Sequence, residues 1–254
     1  MTACNIRIRD SRPETEGSRA VAVSVVVPVD RNAETLVPLY ERLVRALAPV
    51  RGDFELVFVV DGCPAGSLAA ARALAAHDAR VRVVALPQNG GQHRAVMAGL
   101  AVSCGATVVV MDADLQDPPE AVPMLLAELA RSGASAIFAG RRGRYESAGR
   151  LATSRVFKRA LHAMTGVPID AGMFVALGRP LVATVLAMPV TRPFLVAMIG
   201  CANVPVASVP VERAVRTIGR SGFSSWKRLT TALSALHLVA RHKLAPIGWA
   251  RGRA

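Results

Sequence analysis

With 254 residues, 52% of them hydrophobic, the chain can bury one substantial core, and its length allows one or two domains. Its 31 Lys and Arg against 18 Asp and Glu give a formal net charge of +13 and a pI near 11.1, which favours anionic partners such as phosphates, nucleotide-sugars, nucleic acid or an anionic membrane surface. Aromatic residues make up 4%, too few for the stacking platforms of a single-strand nucleic-acid binder, so no nucleic-acid partner is expected.

The four cysteines, Cys4, Cys63, Cys104 and Cys201, are scattered without a C-x-x-C pair and read as reduced and structural. Residues 1–20 are polar and charged, with no apolar stretch of a secretory signal, and read as a flexible tail. A cytoplasmic protein is expected. The apolar segment 181–201 is interrupted by Pro189, Arg192 and Pro193, so no membrane-spanning helix is expected either.

After the tail, 21–29 is a near-continuous apolar run and predicts a buried first strand. Leu36, Leu39, Leu43 and Leu47 recur at helical spacing and predict a helix over 34–47. A strand over 54–60 ends at Asp61-Gly62, a helix follows over 67–77, a strand over 81–86, and a helix over 92–103 entered through Asn89-Gly90-Gly91. The run 108–114 predicts another buried strand, Pro118 and Pro119 introduce a helix over 120–132, and 134–139 is a short strand. A basic loop over 140–144 precedes a helix over 148–164, 170–177 reads as strand or turn, and two apolar helical pieces flank Pro189. A late strand over 204–213, a basic loop over 216–225 and an amphipathic helix over 226–243 complete the chain. Alternation of strand and helix argues for βαβ units and a mostly parallel central sheet flanked by helices, an α/β nucleotide-binding architecture. The expected organisation is a tail at 1–20, one domain over 21–225, and a C-terminal helix and basic tail over 226–254.

The strand 108–114 delivers Asp112 and Asp114 to the carboxyl edge of that sheet, where open α/β folds bind ligands. Two carboxylates are hard ligands suited to Mg²⁺ or Mn²⁺, and such a cation can hold a diphosphate; Gln116 offers a neutral third ligand. Asp117 reads equally as a supporting acid or as a helix N-cap. Asp61 is a candidate to accept hydrogen bonds from a nucleoside, or else an Asp-Gly turn residue. The flexible Asn89-Gly90-Gly91 suits close backbone approach to a nucleotide. His93 reads as a polar supporting residue more than a base. Arg141, Arg142, Arg144 and Arg150, and later Arg213, Arg216 and Arg220, form two basic clusters that could grip a second phosphate or simply face solvent. Asp170, beside Gly172, is either a general base or a structural acid.

From about residue 23 to 244 the chain resembles family 2 inverting glycosyltransferases of the GT-A fold, in particular undecaprenyl-phosphate sugar transferases and dolichol-phosphate mannose synthases. The stretches that carry the resemblance are N-G-G-Q-H-R-A-V-M-A-G-L (89–100), M-D-A-D-L-Q-D-P-P-E (111–120), D-A-G-M-F (170–174) and R-T-I-G-R-S (216–221). The resemblance implies a GT-A type fold and metal-dependent transfer of a sugar from a nucleoside-diphosphate donor to a polyprenyl phosphate. Asp112, Asp114 and Gln116 would hold the metal, with Asp114 and Asp170 in catalytic positions. Pro28, Asp61, Asn89, Gly91 and Asp112 would bind the donor. Arg141, Arg142, Arg150, Ser154, Arg216 and Ser221 would bind the acceptor phosphate. The chain departs from the family at Asp30-Arg31-Asn32, where an aromatic residue and an acid are usual, at Gly222, where a lysine is usual, and at Ala176, where an arginine is usual. A soluble hydroxyl acceptor is the alternative, and a non-catalytic nucleotide-binding scaffold a third reading. The segments 181–201 and 226–243 could pack on the core, on a membrane surface or on a second copy of the chain.

Overall fold

A computed structural model describes residues 9–10, 21–62, 66–142, 148–214 and 225–244, with backbone alone at 9–10, 141–142, 148–155 and 225–229. The strands are β1 (Arg9–Asp10), β2 (Val21–Val29), β3 (Asp53–Asp61), β4 (Val81–Leu86), β5 (Thr107–Val110), β6 (Ala136–Arg142), β7 (Val175–Gly178) and β8 (Val206–Glu212). They form one sheet in the order β1-β4-β3-β2-β5-β7-β6-β8. The pairs β4-β3, β3-β2, β2-β5 and β6-β8 are parallel, while β1-β4, β5-β7 and β7-β6 are antiparallel. The expected mostly parallel α/β sheet is present. Its Val-rich central strands are apolar on both faces because both faces are covered.

One face is packed by α3 (Gln92–Val102), α6 (Arg179–Ala187), α7 (Leu195–Cys201) and α8 (Ser225–Leu244), through residues such as Val96, Leu181, Met198 and Val239 on Val26, Val59 and Val110. The other is packed by α1 (Ala33–Leu47), α2 (Ser67–His77) and α4 (Val122–Ser132), through Leu36, Leu39, Leu74 and Leu125 on Val25, Val27 and Phe58. The period-2 alternation of β2 is what splits Val25 and Val27 from Val26. α5 (Ala148–Thr165) joins the first face through Leu161. α8 is held by Ala235 and Val239, which are 1% and 0% exposed. No described helix is long and apolar enough to cross a membrane.

The register gathers the carboxyl ends of β2, β3, β4 and β5 on one edge. Val26 pairs with Val110, Val29 with Val60, and Asp61 with Leu86. Asp61 stands at the end of one of these pairs, and Asp112 and Asp114 lie just beyond another.

Four sequence expectations are corrected. β5 ends at Val110, not at Asp114: the Met111 N–H still reaches the Val26 carbonyl at 3.2 Å, and the chain then leaves the ladder. Arg141 and Arg142 belong to β6, not to a loop from Gly140, because parallel pairing with Val211 and Glu212 satisfies their backbone groups. The helix expected from Glu120 is a 3₁₀ turn, Pro119–Ala121, followed by α4 from Val122, since Pro119 and Pro123 each fit only a first turn. Within the expected tail, Arg9 and Asp10 pair with Ala85 and Val84 as an edge strand.

Gly99 brings α3 down onto the sheet. A Cβ there would lie 2.3 Å from Val26 Cγ1 and 3.0 Å from Val59 Cγ2, both in fully buried strands. Gly99→Ala is therefore expected to destabilise the fold by about 1–3 kcal/mol through overpacking, read as a lower denaturation midpoint in urea.

Candidate active site

The site begins at Asp61, the last residue of β3 and 2% exposed. Its Oδ1 accepts the Gly90 N–H at 2.8 Å and its Oδ2 the Gly91 N–H at 2.7 Å. The carboxylate thus ties the end of β3 to the loop that opens α3, a structural role other than the Asp-Gly turn the sequence offered beside nucleoside binding. The loop needs its glycines: Gly91 has φ +86°, and a Cβ on Gly62 would lie 2.3 Å from the Asn89 nitrogen. Asn89 is exposed on this loop, and Pro28 is buried in β2 opposite Val59.

Held this way, α3 presents its first side chain to the carboxylate pair. The Gln92 amide donates to Asp112 Oδ1, and Arg213, one residue past β8, places its Nη2 3.6 Å from Asp112 Oδ2. The Arg213 Nε also donates to Asp117 Oδ1 at 3.0 Å. Asp117 is 3% exposed, and its Oδ2 is buried without a hydrogen-bond partner. Asp117 is thus a supporting acid: it holds the guanidinium that touches Asp112, and no side-chain cap is formed at the following helical turn.

The turn between the acids is strained and tied down. Leu115 has φ +60°, an unfavourable value for a branched side chain, and lets the Gln116 N–H reach Asp114 Oδ1 at 3.1 Å. The Thr35 hydroxyl donates to the Ala113 carbonyl at 2.6 Å, and the Ala214 N–H to the Gln116 carbonyl at 2.9 Å. The strand end β8 and the helix α1 therefore clamp the D-x-D-x-Q turn from both sides. Sequence reasoning found Asp112, Asp114 and Gln116 but missed Gln92 as the partner of Asp112 and Thr35 as the partner of the Ala113 carbonyl between the acids. Those residues lie 20 and 78 positions from the groups they touch, and nothing local marks them.

These residues fit a Mg²⁺ or Mn²⁺ ion that takes only part of its shell from protein. Asp112 and Asp114 are half-buried hard oxygen ligands on a fixed turn, and among the described residues no cluster of three or more His, Cys, Asp or Glu forms a closed cage. Mg²⁺ and Mn²⁺ sites of this kind leave positions for substrate phosphates and water.

Asp170 stands on the same sheet edge, in the turn before β7. A Cβ on Gly140 would meet its Oδ2 at 2.1 Å, so the carboxylate lies directly over β6, one residue before Arg141. Arg150 and Ser154 lie on α5; the side chains of Arg141, Arg142, Arg150 and Ser154 are outside the described residues, as are Arg216 and Ser221 altogether. His93 packs its ring on Phe194 at 4.6 Å, and its Nδ1 is buried without a hydrogen-bond partner. Burial pulls its pKa down to about 4, so it is a neutral packing residue at physiological pH. Burial raises the Cys201 thiol to about 11, in keeping with an inert structural cysteine.

The site is thus a clamped pair of acids at the switch edge of an α/β sheet, beside a glycine loop that opens a helix. Residues 24–179 match the family described as glycosyl transferase family 2, and the chain belongs to that family. It is 35% identical over 231 residues to an undecaprenyl-phosphate 4-deoxy-4-formamido-L-arabinose transferase of Pseudomonas aeruginosa, covering 85% of this chain and 68% of that one. The transferase of the same name from Pseudomonas fluorescens is 34% identical over 205 residues, with 80% and 60% covered. The chain thus spans 60% to 68% of the length of these relatives. Among solved structures, glucosyl-3-phosphoglycerate synthase from Mycobacterium tuberculosis, in complex with phosphoglyceric acid, superposes with a TM-score of 0.61 at 23% identity over 85% of this chain and 80% of its own. A mannosyltransferase from Pyrobaculum calidifontis, in complex with GDP-Man and Mn²⁺, does so with a TM-score of 0.61 at 20% identity over 91% and 74%. These likenesses show the fold.

Arg213→Gln removes one partner of a buried pair and strands the Asp117 carboxylate, with a cost of roughly 3–5 kcal/mol expected in denaturant unfolding. Asp117→Asn with Arg213→Gln should recover part of that loss, and full additivity of the two would contradict the coupling. His93 makes stability depend on pH. Its folded pKa is depressed, so between about pH 6.5 and about 4 the unfolded chain binds a proton the folded chain does not, and stability falls as pH falls through that window. His93→Phe should flatten the decline, by on the order of 2 kcal/mol at its acid end, in urea titrations at matched pH.

Proposed function

We propose that this protein is a metal-dependent inverting glycosyltransferase that moves a sugar from a nucleoside-diphosphate donor to a polyprenyl phosphate. The observation that carries the proposal is the clamped Asp112 and Asp114 pair, joined through Gln92 to the loop anchored on Asp61. The relatives named as undecaprenyl-phosphate sugar transferases support the acceptor class.

In this reading Asp112, Asp114 and Gln116 would hold Mg²⁺ or Mn²⁺, which would supply positive charge for the diphosphate of the leaving group. The loop at Asn89, Gly90 and Gly91 and the ends of β2 and β3, with Pro28 and Asp61, receive the nucleoside and its phosphates. Arg213 fixes Asp112 from behind and keeps the local charge from being wholly negative before the donor arrives. An acceptor phosphate is already a nucleophile. One of its oxygens forms the new bond to the anomeric carbon while the bond to the nucleoside diphosphate breaks on the opposite face, inverting the configuration, and no proton has to be removed. Arg141, Arg142, Arg150, Ser154, Arg216 and Ser221 are the proposed phosphate-binding set. Approach from a membrane surface fits an acceptor of this kind and the basic surface of the chain. A second reading keeps the donor half but uses a soluble hydroxyl acceptor with Asp170 as base, and its supporting observation is the placement of that carboxylate over β6 beside the arginine positions.

Labelled UDP- and GDP-sugars offered with Mn²⁺ and undecaprenyl phosphate test this. Label should enter the lipid fraction and depend on the metal. Asp112→Asn and Asp114→Asn should each lower transfer at least about a hundredfold while leaving the unfolding midpoint within about 1 kcal/mol. Label appearing only in a soluble product would select the second reading. Unchanged activity of both variants would remove the metal site from the mechanism.

A further inference from the structure

A metal on Asp112 would share that carboxylate with a cation the chain itself supplies. Arg213 Nη2 lies 3.6 Å from Asp112 Oδ2, and its Nε donates to Asp117 Oδ1 at 3.0 Å. The two contacts differ in kind. The one to Asp117 is a charge-assisted hydrogen bond of ordinary length, while the one to Asp112 is an ion pair beyond hydrogen-bond range. The side chains are 10% exposed at Arg213, 4% at Asp117 and 18% at Asp112, so the guanidinium and Asp117 are enclosed while Asp112 is the member open to a ligand.

Asp117 Oδ2 is the unfinished half of the tighter pair. It is buried without a hydrogen-bond partner, and a carboxylate oxygen left so is costly. A guanidinium presents parallel N–H groups on Nε and one Nη, spaced to meet both oxygens of a single carboxylate. Here the Nε takes Asp117 Oδ1 while Nη2 is turned towards Asp112. Two carboxylates thus compete for one fork.

The surroundings confine that competition to the arginine side chain. Glu212 pairs with Arg142 and the Ala214 N–H is bonded to the Gln116 carbonyl at 2.9 Å, so the backbone on both sides of Arg213 is held. Asp112 is held separately, because Gln92 donates to its Oδ1. Withdrawal of the guanidinium therefore displaces neither the turn nor the acid. It takes a like charge away from an incoming dication and satisfies the second oxygen of Asp117.

We propose that Arg213 is a two-position guanidinium: it spans Asp112 and Asp117 in the metal-free protein, and draws back onto both oxygens of Asp117 when Mg²⁺ or Mn²⁺ takes Asp112. The proposal rests on the metal-dependent reading above and deepens it, by naming two residues that set how tightly the metal is held without ligating it. Both are positioning residues. Asp117 receives the cation that Asp112 gives up, so loss of its charge leaves the guanidinium on Asp112, opposed to the metal. Loss of Arg213 as well removes the opposition.

Mn²⁺ is the probe, titrated into the full chain with UDP or GDP present and followed by loss of the free-ion signal in electron paramagnetic resonance, so that no turnover is needed. The same titration of nucleotide alone gives the background. Asp117→Asn should weaken Mn²⁺ binding about tenfold, and adding Arg213→Gln should bring it back to the wild-type level or above. Arg213→Lys keeps the charge but not the fork, and should bind Mn²⁺ more weakly than wild type. Arg131→Gln, which removes a charge from the exposed ion pair with Glu128 on α4, should change nothing. Thermal melts show that each variant is folded. A double variant as weak as Asp117→Asn alone would mean that Asp117 acts through its own charge; it would overturn the two-position arginine and leave the metal site and the transferase reading intact. Unchanged binding in Asp117→Asn would do the same. Wild-type affinity in Arg213→Lys would overturn the part given to the fork. Failure of folded wild type to bind Mn²⁺ with either nucleotide would overturn the metal-dependent reading and this proposal with it.

Discussion

The Asp61 carboxylate is the joint on which the site turns. It sits at the end of a strand with both faces covered, and each of its oxygens takes one backbone N–H from consecutive glycines. A carboxylate with two such bonds holds a loop more rigidly than neutral partners can, because charge-assisted bonds are roughly twice as strong. The rigid loop sets the first residue of α3, and that residue is the glutamine that reaches Asp112. Close packing at Gly99 keeps the helix at the height on the sheet this contact needs.

From there a chain of polar contacts runs across the sheet edge. Gln92 and Arg213 hold the two oxygens of Asp112, Asp117 holds Arg213, and the backbone of Gln116 is bonded to Ala214. Three positions of the motif are therefore fixed before any donor arrives. Such preorganisation suits the proposed diphosphate leaving group, since stabilising charge as it develops is cheapest when the groups need not move. The same chain links β8 to the D-x-D-x-Q turn through Arg213 and Ala214.

Much of this was readable from residue order. Valine runs with turn signals marked β2, β3 and β4 nearly to the residue, and the two acids after a buried run marked the site. Where reading failed, the missing information was long-range. The four residues Met111 to Asp114 are as apolar in alternation as a strand, yet the ladder ends at Val110, where the chain leaves its neighbours. Gly140-Arg141-Arg142 has the composition of a loop, yet it is strand, because β8 is there to pair with it. Asp117 read equally as a supporting acid or a helix cap because local patterns can only propose local partners, and the partner that decides it, Arg213, is 96 residues away.

What the sequence by itself determined was the class of fold, the position of the carboxylate pair and the family, because hydrophobic period and short motifs are written in neighbouring residues. Only the tertiary structure decided that Asp61 serves the glycine loop, that Arg213 faces the acids instead of solvent, and that His93 packs on Phe194. These are contacts between residues brought together by the sheet and its packed helices. Their energies depend on burial and distance, and neither quantity exists until the chain has folded.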